Sequence, residues 1–382
     1  MSDFPFLTNA LNRRQWLLLT GATLTGCGGG ADSLLASLPG TGGTGIYQGS
    51  ISGFGSVIVN GVTYDNSQAI MRLNDTDVSQ DALRLGMVAT VRAARVAGAT
   101  LGTASSIEVW SIAQGLVSDV SADQFKVAGM TILTNAGTWF YGLTTDTPLS
   151  IGHYVSVWGL QADKDGHSWS ATCVVASTAT ADTVSSGLVK VENGQRMLNG
   201  LLLMGDAANG LTDGVLARVQ GTWTSGGLLN VVSTKSIDSA VNLQPQGEVE
   251  IEGLVTTVPS ANGFMLGSIM VEASPTMYSP LGVPIAVGSR VEVYGSWQGG
   301  VLKATKVELE NESTPGSVEI KAPFQQFTSL ADFVLQGQRC DATGVMLTST
   351  TQAALSIAGA IFRVKGFKNG DWLKVTEMEL DH

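Results

Sequence analysis

Histidine is scarce in this chain of 382 residues: it occurs at 153, 167 and 382, with no HExxH or paired-histidine spacing. A zinc site is therefore not expected. Cysteine is equally rare, with three residues and no CxxC, so no disulfide framework is expected. Cys173 and Cys340 fall at different places in the repeat described below and read as free thiols rather than a bridge. Charged residues make up 14% of the chain, too few for a helical bundle. Apolar residues make up 44%, too many for a disordered chain. Basic residues fall short of acidic ones, 21 against 32, and no block of five or more basic residues occurs. Nucleic acid is excluded as a partner on that balance, because neutralising phosphates needs clustered Lys and Arg.

Residues that could carry chemistry are also sparse. GSISGFGS at 49–56 completes neither a GxSxG nucleophile turn nor a phosphate loop. NDTD at 74–77 and DKDGH at 163–167 offer oxygen ligands, but neither ends in the bidentate Glu that a calcium loop requires. Both read as solvated turns. No catalytic residue, metal or cofactor is expected, and the chain reads as non-enzymatic. A hydrolytic enzyme is the weaker alternative, with DKDGHSW at 163–169 as its one candidate insertion.

What the chain does have is glycine, 47 residues of it, placed in a repeating phrase. GSRVEVYG at 288–295 returns as GHYVSVWG at 152–159, GVLARVQG at 214–221, GAIFRVKG at 359–366 and, degraded, GMVATVRA at 86–93. The third and fifth residues after each opening glycine are apolar, and the residues beside them are mixed, the period-two pattern of a half-buried strand. A further strand follows each phrase, as in LKATKVELE from 302 and LKVTEMELD from 373. Upstream, leading residues 49, 115, 187, 253 and 322 open a second shared block, in which glycines 61, 129, 200, 267 and 337 mark a hairpin turn.

Each copy thus offers three strands, a longer connection and two more. The expected fold is all-β, with about five tandem five-stranded units like small OB-type barrels, at 46–110, 111–178, 182–238, 247–311 and 317–381. Spacing leaves open whether the barrels close or share strands along one twisted β structure. Units of this size bury little surface alone, so packing between them is expected. One short helix capped by Ser79 is expected in the first long connection, and none elsewhere.

The amino terminus has a different character. RRQWLLLTGATLTGC at 13–27 sets two arginines before an apolar run too short to span a bilayer, then small residues before a cysteine, the make-up of an export signal. The Arg13–Arg14 pair resembles a bacterial twin-arginine signal, with ordinary secretion as the alternative route. LTGC at 24–27 resembles the lipobox of bacterial lipoproteins. The resemblance implies a signal peptide over 1–26, a lipid on Cys27 that anchors the chain to membrane, and, because Gly28 rather than Asp follows, the outer membrane. Which face of that membrane is occupied stays open. The Gly-rich stretch 27–45 reads as a flexible tether.

The pattern of leading glycine, turn glycine, V-x-V-x-G and final strand resembles the repeated domain of uncharacterised function found in bacterial envelope lipoproteins. It covers 46–381, with departures in the third and fifth copies. That family implies fold and location but no activity. Trp158 and Tyr294, just before the closing glycine, and Trp223, Trp297 and Phe367, just after it, are the candidate ligand contacts, with packing as the competing role. Binding or scaffolding of an envelope protein or a glycan is the expected function, with an array of carbohydrate- or oligomer-binding modules as the alternative.

Overall fold

The computed structural model describes residues 44–96, 98–143, 147–224, 227–237, 247–310 and 317–381. The expected export signal, with Arg13, Arg14 and Cys27, lies outside them. Of the expected tether, Thr44 and Gly45 already belong to the first strand, Thr44–Phe54. No helix among the described residues is long and apolar enough to cross a membrane.

The repeating phrase folds as its alternation requires. Ala89, Val91, Val155, Val157, Ala217, Val219, Val291, Val293, Phe362 and Val364, the third and fifth residues in the five copies, are all fully buried. Each phrase is the fourth strand of a barrel, and these residues fill its interior. Every copy has the same pairing. The fourth strand runs antiparallel to the first and to the fifth. The third runs antiparallel to the second and parallel to the fifth. First and second strands complete the circuit, in barrel 3 through Lys190–Glu192, a separate strand that follows Asp182–Leu188, and in barrel 4 through the bridge Val255 to Leu266. The order 1-2-3-5-4-1 is that of a closed OB-type barrel. The five barrels span 44–109, 113–177, 182–236, 248–309 and 318–380.

Two local rules write this unit. Asn60–Gly61 and Asn199–Gly200 take φ values of 52° and 69°, and 51° and 80°, as a type I′ turn demands of both central residues. Ala128–Gly129 and Gln336–Gly337 adopt the same conformation. In barrel 4 the glycine comes first instead, at Gly267 with φ 57°, between strands Gly263–Leu266 and Ile269–Glu272. The closing glycine of the phrase has a separate reason. A β-bulge falls at this point in every barrel, between Arg92/Ala93, Trp158/Gly159, Gln220/Gly221, Tyr294/Gly295 and Lys365/Gly366. There the facing carbonyl comes so close that a Cβ on Gly295 would sit 2.1 Å from the oxygen of Lys303.

The long connections differ from copy to copy. Ser79 opens only a 3-10 turn, Gln80–Ala82, without a side-chain capping bond, because strands Ile70–Leu73 and Thr76–Asp77 take up the preceding residues. The α-helix lies instead in barrel 5, at Ser349–Ala354, where the Thr348 side chain accepts from the amide of Thr351. It corrects the expectation that only the first connection would be helical.

The barrels close, and they also join. Each end of the first strand of barrel 1 pairs within its own barrel along one edge and with a neighbouring barrel along the other. Ile46, Tyr47 and Gln48 pair in parallel with Val249, Glu250 and Ile251 of barrel 4, and Gly53 and Phe54 pair with Glu319 and Ile320 of barrel 5. Barrels 2 and 3 meet through Gln114 and Val184. Apolar packing follows the same plan. The cores of barrels 1 and 5 form one cluster that takes in Trp139, Tyr141, Trp158 and Cys173 from barrel 2, and Ile46 reaches into the core of barrel 4. Barrel 1 is the hub, and its strand-paired neighbours lie far away in sequence, from Ile46 to Val249 and from Gly53 to Glu319.

Candidate functional site

Barrels 1 to 4 leave a cleft where they meet, a cavity of about 210 Å³. Its polar lining comes from different copies: Gln48, Arg92, Glu108 and Trp110 from barrel 1 and its exit, Gln161 from barrel 2, Arg218 and Lys235 from barrel 3, and Glu252 from barrel 4. Leu160, Ile237 and Ile251 supply apolar wall.

Arg218 is the most constrained of these. It comes four residues after the opening glycine of its phrase, on the outward side of strand Leu216–Thr224, and is only 4% exposed. Its Nε donates to the carbonyl of Ser111 at 2.7 Å, and its Nη2 donates to Asn74 Oδ1 at 3.1 Å and Ser111 Oγ at 3.3 Å. All three acceptors are neutral. Asn74 is held to receive it, since its Oδ1 also accepts from the amide and hydroxyl of Ser111. Burial pushes the guanidinium down to about 10, still charged at neutral pH. Lys235 lies 3.4 Å above the Trp110 ring and 3.8 Å from Glu108; burial lowers its pKa against the pull of that carboxylate.

A second polar cluster fills the seam between barrels 1 and 4. Arg95, 5% exposed, donates through Nη2 to Glu248 Oε1 and Glu250 Oε2, both at 2.7 Å, and stacks on Tyr47. Glu252 accepts from the amide of Ser50 at 2.6 Å and pairs with Arg290. Glu292 has no cation beside it among the described residues. Burial and the nearby Glu250, Glu310 and Glu252 push it up to about 9, against the hydrogen bond from Tyr294, whose hydroxyl lies 2.5 Å away. These groups join two barrels, and Arg95 Nε and Glu250 Oε1 are left buried without a hydrogen-bond partner among the described residues.

The candidates from sequence disperse. Trp158 does point out of its own barrel, but barrels 1 and 5 cover it, leaving 3% exposed. Trp297 is 7% exposed and belongs to its own barrel's core, because it keeps the alternation of Val291 and Val293; the extra residue of the bulge, Thr305, is on the facing strand. Both are packing residues, which corrects their assignment as ligand contacts. Tyr294 is half-buried and committed to Glu292 and to Lys306 over its ring. Trp223 and Phe367 stand exposed, at 44% and 42%, away from the cleft lining. In DKDGH, Asp163, Asp165 and His167 bring their ligand atoms within 4.8 Å of one another. Asp163, however, accepts from the amides of Asp165 and His167 and from the amide and hydroxyl of Ser168. Those bonds outweigh burial and lower its pKa, so the loop is a turn organised by its first aspartate. Cys173 and Cys340 are free and buried, and burial pushes the Cys340 thiol up to about 12.

Sequence reasoning missed Trp110, Arg218 and Lys235. Arg218 was visible as a charge at an outward position of an apolar strand, but nothing local says that other barrels cover it.

No curated protein matches the chain. Among solved structures it is similar to the Drosophila structure titled "drosophila Unr CSD456", at 13% identity and a TM-score of 0.16, covering 70% of this chain and 98% of that one. At that TM-score the likeness carries no weight. Residues 114–174 and 252–308, within barrels 2 and 4, match a domain of unknown function (DUF5666), so the chain contains two copies of that domain.

Proposed function

We propose that this chain is a non-enzymatic, lipid-anchored protein of the bacterial envelope whose five barrels act together as one binding scaffold. The observation that supports it most is the first strand of barrel 1, hydrogen-bonded to barrels 4 and 5 at its two ends. A passive spacer needs only length, and units joined end to end would supply it. Strand pairing between units distant in sequence instead fixes how the barrels sit on barrel 1, which suits a protein that presents a defined surface to an envelope protein or glycan. The anchor is the lipid on Cys27, and the outer membrane is the expected location.

Membrane fractionation tests the anchor. The native chain is expected in the outer-membrane fraction and Cys27→Ser in the soluble fraction; equal partition of the two would defeat it. Crosslinking in the same cells tests the binding role, which predicts a stoichiometric protein or glycan partner that is lost with Cys27→Ser. A glycan-binding array is the second reading, favoured by the exposure of Trp223 and Phe367, and Trp223→Ala would then weaken glycan capture severalfold.

A further inference from the structure

The cleft among barrels 1 to 4 holds a cation, Arg218, that no carboxylate contacts among the described residues: the exposed Asp75 acts on it only at a distance, and the Trp110 ring lies 5.1 Å from its guanidinium. Arg218 lines it, is more than nine-tenths buried, and donates only to a carbonyl, an amide oxygen and a hydroxyl. Among the described residues no carboxylate pairs with it. The shortage is local, since the chain carries 32 acidic residues against 21 basic ones. A buried charge is ordinarily paired, and arginine cannot escape by giving up its proton.

We propose that this cleft binds a small organic monoanion, with Arg218 and Lys235 facing its carboxylate or phosphate ester and Trp110 and the aliphatic wall taking its body. The charge balance sets the limit of one. On the lining itself three cations, Arg92, Arg218 and Lys235, face two carboxylates, Glu108 and Glu252, which leaves an excess of one positive charge for the ligand. A volume of about 210 Å³ holds roughly seven waters, which suits a single ring bearing its anionic group. Gln48 and Gln161 on the lining can hydrogen-bond polar substituents of that ring.

This inference rests on the protein being a binder rather than a spacer, and its test reads ligand stabilisation rather than location, so the two fail separately. The full chain would be melted with benzoate or benzamide, with glucuronate or glucose, and with dimethyl phosphate or trimethyl phosphate, each against sodium chloride at equal ionic strength. The charged member of each pair is expected to raise the melting temperature and the neutral member to leave it unchanged. Benzoate and glucuronate against dimethyl phosphate tell a carboxylate site from a phosphate site. Arg218→Gln should abolish the charged effect. Lys235→Met, at a half-exposed position that the fold tolerates, should weaken affinity about tenfold. The proposal is overturned if no anion stabilises beyond salt, or if Lys235→Met binds every anion as tightly as the native chain.

Discussion

Arg218 in barrel 3 and Glu292 in barrel 4 occupy the same place in the repeating phrase, four residues after its opening glycine, and both are more than nine-tenths buried. In each case the outward side of a barrel strand has become an inside between barrels. Arg218 meets acceptors, and Glu292 meets a tyrosine hydroxyl and other carboxylates. The two buried charges resolve differently. Glutamate can take up a proton, and its pKa of about 9 keeps it neutral at pH 7. Arginine at about 10 cannot shed one there. Opposite chemistry in one slot shows that the inward residues make the barrel and the outward residues say which neighbour it accepts.

The strongest way to break the comparison is to put the wrong charge in a slot. Arg218→Glu sets a carboxylate against the Ser111 carbonyl and the Asn74 amide oxygen, and a loss of about 3 to 5 kcal/mol is expected in urea denaturation. An unchanged midpoint would mean that the neighbours do not read the charge. Glu292 gives the next largest effect, as a pH dependence. Its folded pKa is raised from 4.5 to about 9, so the folded chain holds a proton that the unfolded chain releases. Stability is complete below about pH 4.5 and falls as pH rises toward 9, by at most about 1.4 kcal/mol per pH unit. Glu250 and Glu310, also raised by burial, act in the same direction. Glu292→Gln should flatten that slope and stabilise the chain at pH 9; an equal slope in the variant would place the effect elsewhere.

Inward positions should behave alike. Val293→Ala and Val364→Ala each remove two buried carbons and should cost about 2 kcal/mol; a difference above about 1 kcal/mol would show that the copies are not equivalent inside. The smallest effect belongs to the same slot in barrel 5. Arg363 is only partly covered, with 40% of its side chain exposed, and pairs with Glu379, so Arg363→Ala should change stability by less than about 1 kcal/mol. A larger loss would reveal a covering surface there too.

The residues that specify one barrel were legible because their rules are local. Alternation named all ten inward residues of the phrase, and Asn-Gly named two hairpins. The closing glycine was visible as a repeat, but its cause, a carbonyl brought close by a bulge, appears only when the fifth strand is placed beside it. The degraded copy places Ala93 there, fully buried. Trp158 was assigned outward, as it is, but sequence could not supply the barrels that cover it. The cleft was illegible for the same reason. Trp110, Arg218 and Lys235 lie in two copies that are not consecutive, and the order in which barrels pack is not their order in the chain.

That order has a consequence in time. The open edge of barrel 1's first strand at Ile46 waits for Val249, about 200 residues later, which at ordinary rates of synthesis is roughly 10 to 40 s. The edge at Gly53 waits longer, for Glu319. Until then barrel 1 displays unpaired backbone and an apolar surface that its eventual neighbours will cover, the condition in which strands recruit foreign partners. The hub of the finished assembly is therefore its most vulnerable part during synthesis, and a chain halted before barrel 4 should aggregate sooner than one halted after barrel 5.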